Sequence, residues 1–242
     1  TIWLSEKGKL FASGINNFQQ PQLLEAFDAL QCSSYQKTAA IITNNKTVIL
    51  WPDFTNNNSY KEFSLPHPAI HISCGLNFVS VLLENQTLFK ISTDGTIEPM
   101  IIRPSNDSSL IDRFVKISSA ENYTVAIDFR SQVWIFGPVG RYQPGPISTP
   151  LFSGAIDVFA FPNSIIAITT ENSIYAFGEN ADGNLALNDL QFTYEFEKTQ
   201  IDTPVLSIIG NSRMNIYLKR PITREFVDFD RSRVLPGFSK FM

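Results

Sequence analysis

Ile174-Tyr175-Ala176-Phe177-Gly178-Glu179-Asn180-Ala181-Asp182-Gly183-Asn184-Leu185-Ala186-Leu187-Asn188-Asp189 decides how the rest of this chain is read. Its first four residues form a short strand with an aromatic end, stopped by Gly178. Turn chemistry follows, with Asn180 and then Asp182-Gly183-Asn184, where Gly183 is free to take the positive φ of a tight turn. Leu185 and Leu187 return apolar groups to the protein at a period of two. Such a module raises one question, whether it recurs.

It recurs about every 40 residues. Segments with the same strand character begin at Leu10, Val48, Leu88, Val133 and Ile174. Four have a clear apolar partner strand before them: Ala39–Ile42, Val79–Leu82, Val125–Ile127 and Ile166–Ile168. The polar turns Thr43–Lys46, Glu84–Gln86, Asp128–Ser131 and Thr170–Ser173 make each pair a hairpin. A third strand opens each unit, at Leu30-Gln31-Cys32, Ile70–Gly75, Val115-Lys116-Ile117, Ile156-Asp157-Val158 and Val205–Ile208. Connections bearing proline lead in, from Pro21 to Pro204, and proline keeps those stretches at loops or sheet edges. The run Leu23–Leu30 has apolar spacing that fits a turn or two of helix, but the repeat register predicts a loop leading into a strand. One small sheet cannot bury both faces; stacking such sheets radially can. The predicted fold is all-β, a β-propeller forming a single domain over residues 1–242.

The unit from Ile174 to Leu187 resembles the repeat of the regulator of chromosome condensation (RCC1-like) family, aliphatic-aromatic-x-aromatic-Gly-x-Asn-x-x-Gly-Gln-Leu-Gly. Phe177, Gly178, Asn180, Gly183 and Leu185 are in register; Asn184 replaces the glutamine and Ala186 the final glycine. The family's second landmark, Ala-x-Gly-x-x-His-(Ser/Thr)-x-Ala-Leu, is echoed at Cys74–Leu82 and Ala120–Ile127, with Phe78 and Tyr123 where the histidine would stand. The chain is identified as a divergent member. The resemblance implies a propeller, typically of seven blades. Five units are legible and a sixth, from Ile201 on, is degraded, so about five to seven blades are expected. A smaller propeller, a fragment of a longer chain and blades diverged beyond reading all fit, and the start at Thr1 leaves room for an upstream part.

Composition narrows the function. Of 242 residues 43% are hydrophobic and 17% charged, enough for a packed core. The net charge of −4, with no run of Lys or Arg beyond Lys219-Arg220, offers no stripe for a phosphate backbone, so no direct nucleic-acid binding is expected. No apolar run approaches the roughly 20 residues of a membrane helix. Two cysteines, Cys32 and Cys74, at near-equivalent places in successive repeats, make no disulfide framework and fit core packing. His67 and His71 are the only histidines, too few with Cys74 for a metal centre. No nucleophile finds a base, and no turn resembles a nucleophile elbow. The carboxylates Asp228 and Asp230 share a strand face by spacing alone, and Asp182-Gly183-Asn184 lacks the ligands of a calcium loop. We therefore expect no enzyme, no metal and no cofactor.

Loops of successive blades gather on flat faces, a surface suited to a protein partner. Aromatic and arginine side chains in loops dominate interfaces. That singles out Arg141 and Tyr142 in the Gly140–Gly145 loop, and Phe192 and Tyr194 in the connection after the opening motif. The same residues also fit packing over an outer strand. The first reading is a non-enzymatic scaffold, cytoplasmic or nuclear. The resemblance implies a second, since the family includes an exchange factor for the small GTPase Ran; the exchange loop has no residue-by-residue match here. A third is a glycosylated ectodomain of a surface complex, motivated by Asn-x-Ser/Thr sequons at Asn45, Asn57, Asn85, Asn106 and Asn122. Two structural expectations complete the reading. Phe177, Trp134, Trp51 and Ile91 should be buried at corresponding places, and Gly183 should have positive φ.

Overall fold

The computed structural model describes residues 2–13, 22–54, 59–102, 113–144, 150–202, 205–210 and 215–219. Asp228, Asp230, Asn57 and Asn106 lie outside them. Every described strand pairing is antiparallel, and no helix occurs among the described residues. The first unit consists of β1 (Ile2–Leu4), β2 (Lys9–Ala12) and the leading half of β3 (Gln22–Tyr35). The trailing half of β3 opens the second unit, with β4 (Thr38–Thr43), β5 (Val48–Trp51) and β6 (Lys61–Phe63). The third unit is β7 (Ala69–Gly75), β8 (Phe78–Leu83), β9 (Leu88–Ser92) and β10 (Ile97–Pro99). The fourth is β11 (Phe114–Ala120), β12 (Tyr123–Asp128), β13 (Gln132–Phe136) and β14 (Phe152–Ser153). The fifth is β15 (Ala155–Phe161), β16 (Ser164–Thr169), β17 (Ile174–Gly178) and β18 (Thr193–Lys198). A sixth shows β19 (Val205–Gly210) and β20 (Asn215–Lys219). Within each complete unit the strands lie in chain order, as a meander.

The cores lie between units. One cluster joins Leu50 and Ile42 of the second unit to Ile72, Val81 and Ile91 of the third. Another joins Tyr123, Val125 and Ile135 of the fourth to Val158, Ile165 and Phe177 of the fifth. Central strands β8 and β12 are buried along their whole length, because each has a unit on both sides. This is the radial stacking of propeller blades, where neighbour contacts carry the stability. Side chains also bridge the inner strands, which lie side by side with no ladder between them. Ser33 Oγ accepts from Cys74 N at 2.9 Å, Ser73 Oγ from Ser119 N at 2.8 Å, and Ser118 Oγ from Ala160 N at 2.9 Å. The Tyr123 hydroxyl reaches from the fourth unit to the carbonyls of Phe161 (2.7 Å) and Ser164 (2.6 Å) of the fifth. Tyr123 therefore holds a joint between units from the place where the family pattern has histidine.

Three sequence readings need correction. The run Leu23–Leu30 is strand, not loop or helix: Leu23 pairs with Phe11, while Ala29 already pairs with Thr43. Its apolar spacing mixes residues that serve two different sheets, which imitates a helical face. Trp134 is two positions out of register with Phe177, Trp51 and Ile91; its row contains Ile49, Phe89 and Tyr175, and Phe136 holds the place assigned to it. All four named residues are buried nonetheless. Cys32 and Cys74 are likewise two positions apart along their strands, Ile72 being the counterpart of Cys32. Cys74 is buried, its thiol donates to the Ser33 carbonyl at 3.4 Å, and burial pushes its pKa up to about 12. Such a thiol stays protonated and packs as a small hydrophobe.

Candidate functional site

The fifth-unit loop from Glu179 to Gln191 is built around one buried side chain. Asn180 is fully buried; its Oδ1 accepts from Leu185 N at 2.9 Å and its Nδ2 donates to the Asp189 carbonyl. Gly183 turns the chain at φ +70°, with Gly183 N donating to the Asn180 carbonyl at 2.9 Å. Leu185 then plugs between units, against Ile166, Ile174 and Ala176 on one side and Val205 and Ile208 on the other. Ala186, where the family repeat has glycine, is held at φ +53°. A left-handed conformation costs an L-residue about 1–2 kcal/mol. We expect Ala186→Gly to raise stability by about 1 kcal/mol, read as a higher denaturant midpoint. At Gly183 an added Cβ meets only the Leu190 Cδ2, at 3.5 Å, so conformation sets the cost. Gly183→Val should lose at least 1–2 kcal/mol and Gly183→Asn much less, because asparagine accepts the left-handed region. Equal midpoints for the two variants would contradict this turn.

The neighbouring fourth-unit loop meets it edge to edge. Val139 and Tyr142 bridge across the tight turn Gly140-Arg141. The Tyr142 ring stands on Phe177 at 5.2 Å between centroids, 89° between planes. The Phe192 ring lies 6.3 Å from Phe177, and the Tyr194 ring lies tilted beside Phe192 at 4.6 Å. A Cβ on Gly140 would come within 3.0 Å of Phe192, so the two loops are in close contact. Arg141 Nε sits 4.0 Å from the Glu179 carboxylate, a solvent-screened pair. Burial raises the Tyr142 hydroxyl pKa.

The four residues singled out in the sequence are thus brought together across two units. Tyr142 and Phe192 are half-buried and shield Phe177, whereas Arg141 is exposed and Tyr194 is 58% exposed. Sequence reasoning missed Leu190, which is 64% exposed, and Glu179. The available signal was a single leucine standing alone in the polar run Asn188–Gln191. The surface is borne on these two loops and on the start of β18, where Tyr194 is a strand residue rather than part of the connection expected from the sequence. Two clefts, of about 370 and 320 Å³, lie on the third unit, around Asn77, Lys90 and Asp94 and around His67, Phe89 and Ile101. Among the described residues no group of three His, Cys, Asp or Glu side chains is placed to hold a metal, and no helix is long and apolar enough to cross a membrane.

No family model and no curated protein matches the sequence. Solved structures match the fold. Human WBSCR16 superposes with a TM-score of 0.72 at 10% identity over 90% of this chain and 69% of that one. Prp20p of Saccharomyces cerevisiae, studied for its binding to Gsp1p and histones, gives 0.69 at 13% identity, covering 90% and 66%. The same yeast RCC1 (Prp20) bound to Kap60 gives 0.66 at 12% identity, covering 83% and 57%. The chain spans between 57% and 69% of the length of these structures. The likeness lies in the fold: this chain has the blade architecture of the RCC1-like propellers.

Proposed function

We propose that this chain, built on the fold of the RCC1-like propellers, is a non-enzymatic interaction module. It takes a protein partner on the loops of its fourth and fifth units, with Arg141, Tyr142, Phe192 and Tyr194 at the contact. The observation that carries this reading is the outward presentation of Leu190 from a loop fixed by the buried Asn180, and of Tyr194 from the start of β18 just beyond it. Exposed aromatic and aliphatic groups on a pre-ordered support lose little entropy on binding. Exposed side chains such as Tyr194 and Leu190 suit another protein better than a small ligand, which is buried in a concave site. Tyr194→Ala and Leu190→Ser should each weaken a purified partner complex by roughly tenfold or more while leaving the melting temperature unchanged. Unaltered affinity in both variants would place the contact elsewhere.

A second reading is regulation of a small GTPase, by analogy with Prp20p, which was studied with Gsp1p. A nucleotide-release assay with Ran-like GTPases decides it, since a scaffold leaves the release rate unchanged. A third is a glycosylated ectodomain, supported by the exposed turn positions of Asn45, Asn85 and Asn122. A glycosidase-dependent gel shift of the natural product would establish it.

A further inference from the structure

The opposite end of the inner strands carries a second surface. The loops just described sit at the end where the first and second strands of each unit join, as Gly178 pairs with Ser164 beside that turn. At the other end, the five described inner strands β3, β7, β11, β15 and β19 contain the same irregularity. Register slips by one between Ala29 and Gln31, Ala69 and His71, Phe114 and Lys116, Ala155 and Asp157, and Val205 and Ser207. The extra residues are Leu30, Ile70, Val115, Ile156 and Leu206, all aliphatic. The first four are 48%, 45%, 49% and 46% exposed. A bulge residue left in water needs no particular side chain to fold. Four half-exposed aliphatic residues at four equivalent bulges are therefore a recurring apolar feature that the core does not use. Because adjacent inner strands lie side by side, the four described residues occupy equivalent positions on neighbouring strands and line one end of them as an apolar row.

The next residue along each strand is polar and half-buried: Gln31, His71, Lys116 and Asp157. Lys116 Nζ and Asp157 Oδ2 form a 2.5 Å ion pair, and Gln31 Oε1 accepts from Ile72 N at 2.9 Å. Burial and the nearby Lys116 ammonium lower the His71 pKa, keeping the ring neutral with one donor and one acceptor.

We infer that this row is a docking site for a peptide segment of a partner protein that inserts an aliphatic or aromatic anchor among Leu30, Ile70, Val115 and Ile156. Two features select that occupant. Half-exposed side chains in a single row present at most a few hundred Å², short of the roughly 800 Å² a side of a standard interface, so a second copy of this chain held by the row alone is disfavoured. A lipid-like ligand would cover the polar row without matching it, and burying unmatched polar groups is unfavourable. A peptide brings its own N–H and C=O groups for Gln31, His71 and the Lys116–Asp157 pair while its anchor fills the apolar row.

The test uses the folded full chain and a phage-displayed library of short random peptides. Selected peptides should share a leucine, phenylalanine or tryptophan, and should lose roughly tenfold or more in affinity for an Ile70→Ser/Val115→Ser variant. The same peptides should bind Tyr194→Ala as well as wild type, which separates this site from the loop surface. Circular dichroism and a melting curve confirm that the serine variant is folded; if it is not, Leu30→Ser and Ile156→Ser are read singly. Enrichment of no peptide that depends on these residues overturns the inference. So does a concentration-dependent dimer abolished by the same serines, or a detergent monomer that binds the row more tightly than any selected peptide.

Discussion

Gly178→Ala should be among the most damaging single substitutions in this protein, lowering stability by about 3–5 kcal/mol. Gly178 lies at φ +106°, outside the regions open to an L-side chain. An added Cβ would stand 2.3 Å from the Asn163 carbonyl oxygen and 2.9 Å from the Ser164 Cα. Both obstacles are backbone, so no rotamer change relieves them. The backbone is also committed, since Glu179 N donates to that same Asn163 carbonyl at 2.9 Å and Gly178 pairs with Ser164 and Thr193. Gly137 repeats the arrangement in the fourth unit, at φ +100° with a virtual Cβ 2.4 Å from the Asn122 carbonyl. Guanidinium titration of Gly178→Ala and Gly137→Ala should give similar large losses. A midpoint close to wild type in either would show that the end of the strand can move aside.

Trp134→Ala should cost about 3–5 kcal/mol from the lost aromatic volume. The ring packs between units against Leu88, Ile102 and Phe114. Its Nε1 also donates to Asp128 Oδ2 at 3.0 Å, while Asp128 Oδ1 accepts from Arg130 N and Gln132 N, each at 2.9 Å. Truncation therefore leaves a buried carboxylate oxygen without its donor, which adds about 1–3 kcal/mol. Trp134→Phe separates the two effects, keeping much of the volume and losing the hydrogen bond. Chemical denaturation of both variants should rank alanine well below phenylalanine, and phenylalanine below wild type. Equal loss in the two would assign the whole effect to the hydrogen bond.

The repeat was legible because spacing is a one-dimensional property. Strands with an apolar run and a polar turn announce themselves, and the hairpins at Val79–Ile91 and Val125–Ile135 lie where their residues predicted. Register within a repeat was less legible. Trp134 looks like the counterpart of Trp51 by size, but pairing with Ala126 rather than Thr124 puts it on the row of Ile49. The bulges were invisible, since a slip of one residue leaves composition and alternation nearly intact. Phe192 and Tyr194 could be picked out as aromatics after the opening motif, although Tyr194 proved to be in strand β18, and their convergence with Tyr142 depends on Phe177 standing between two units. That contact spans about 50 residues of sequence and leaves no local trace.

The serine bridges between inner strands distribute unfolding unevenly along the stack. Amides on the free inner edge of a sheet would ordinarily exchange with solvent quickly. Those of Cys74, Ser119 and Ala160 are tied to the preceding unit, so they should report the opening of a whole seam rather than local breathing. The series stops at the fifth unit, where Phe159 occupies the place held by Ser33, Ser73 and Ser118 and has no hydroxyl to offer β19. In a stack whose cooperativity passes between neighbours, that seam lacks the serine tie of the preceding ones and relies on packing of Leu185 with Val205 and Ile208. Deuterium should enter β19 ahead of β15, and the molecule should come apart from that side, one blade at a time, before the second to fifth units separate.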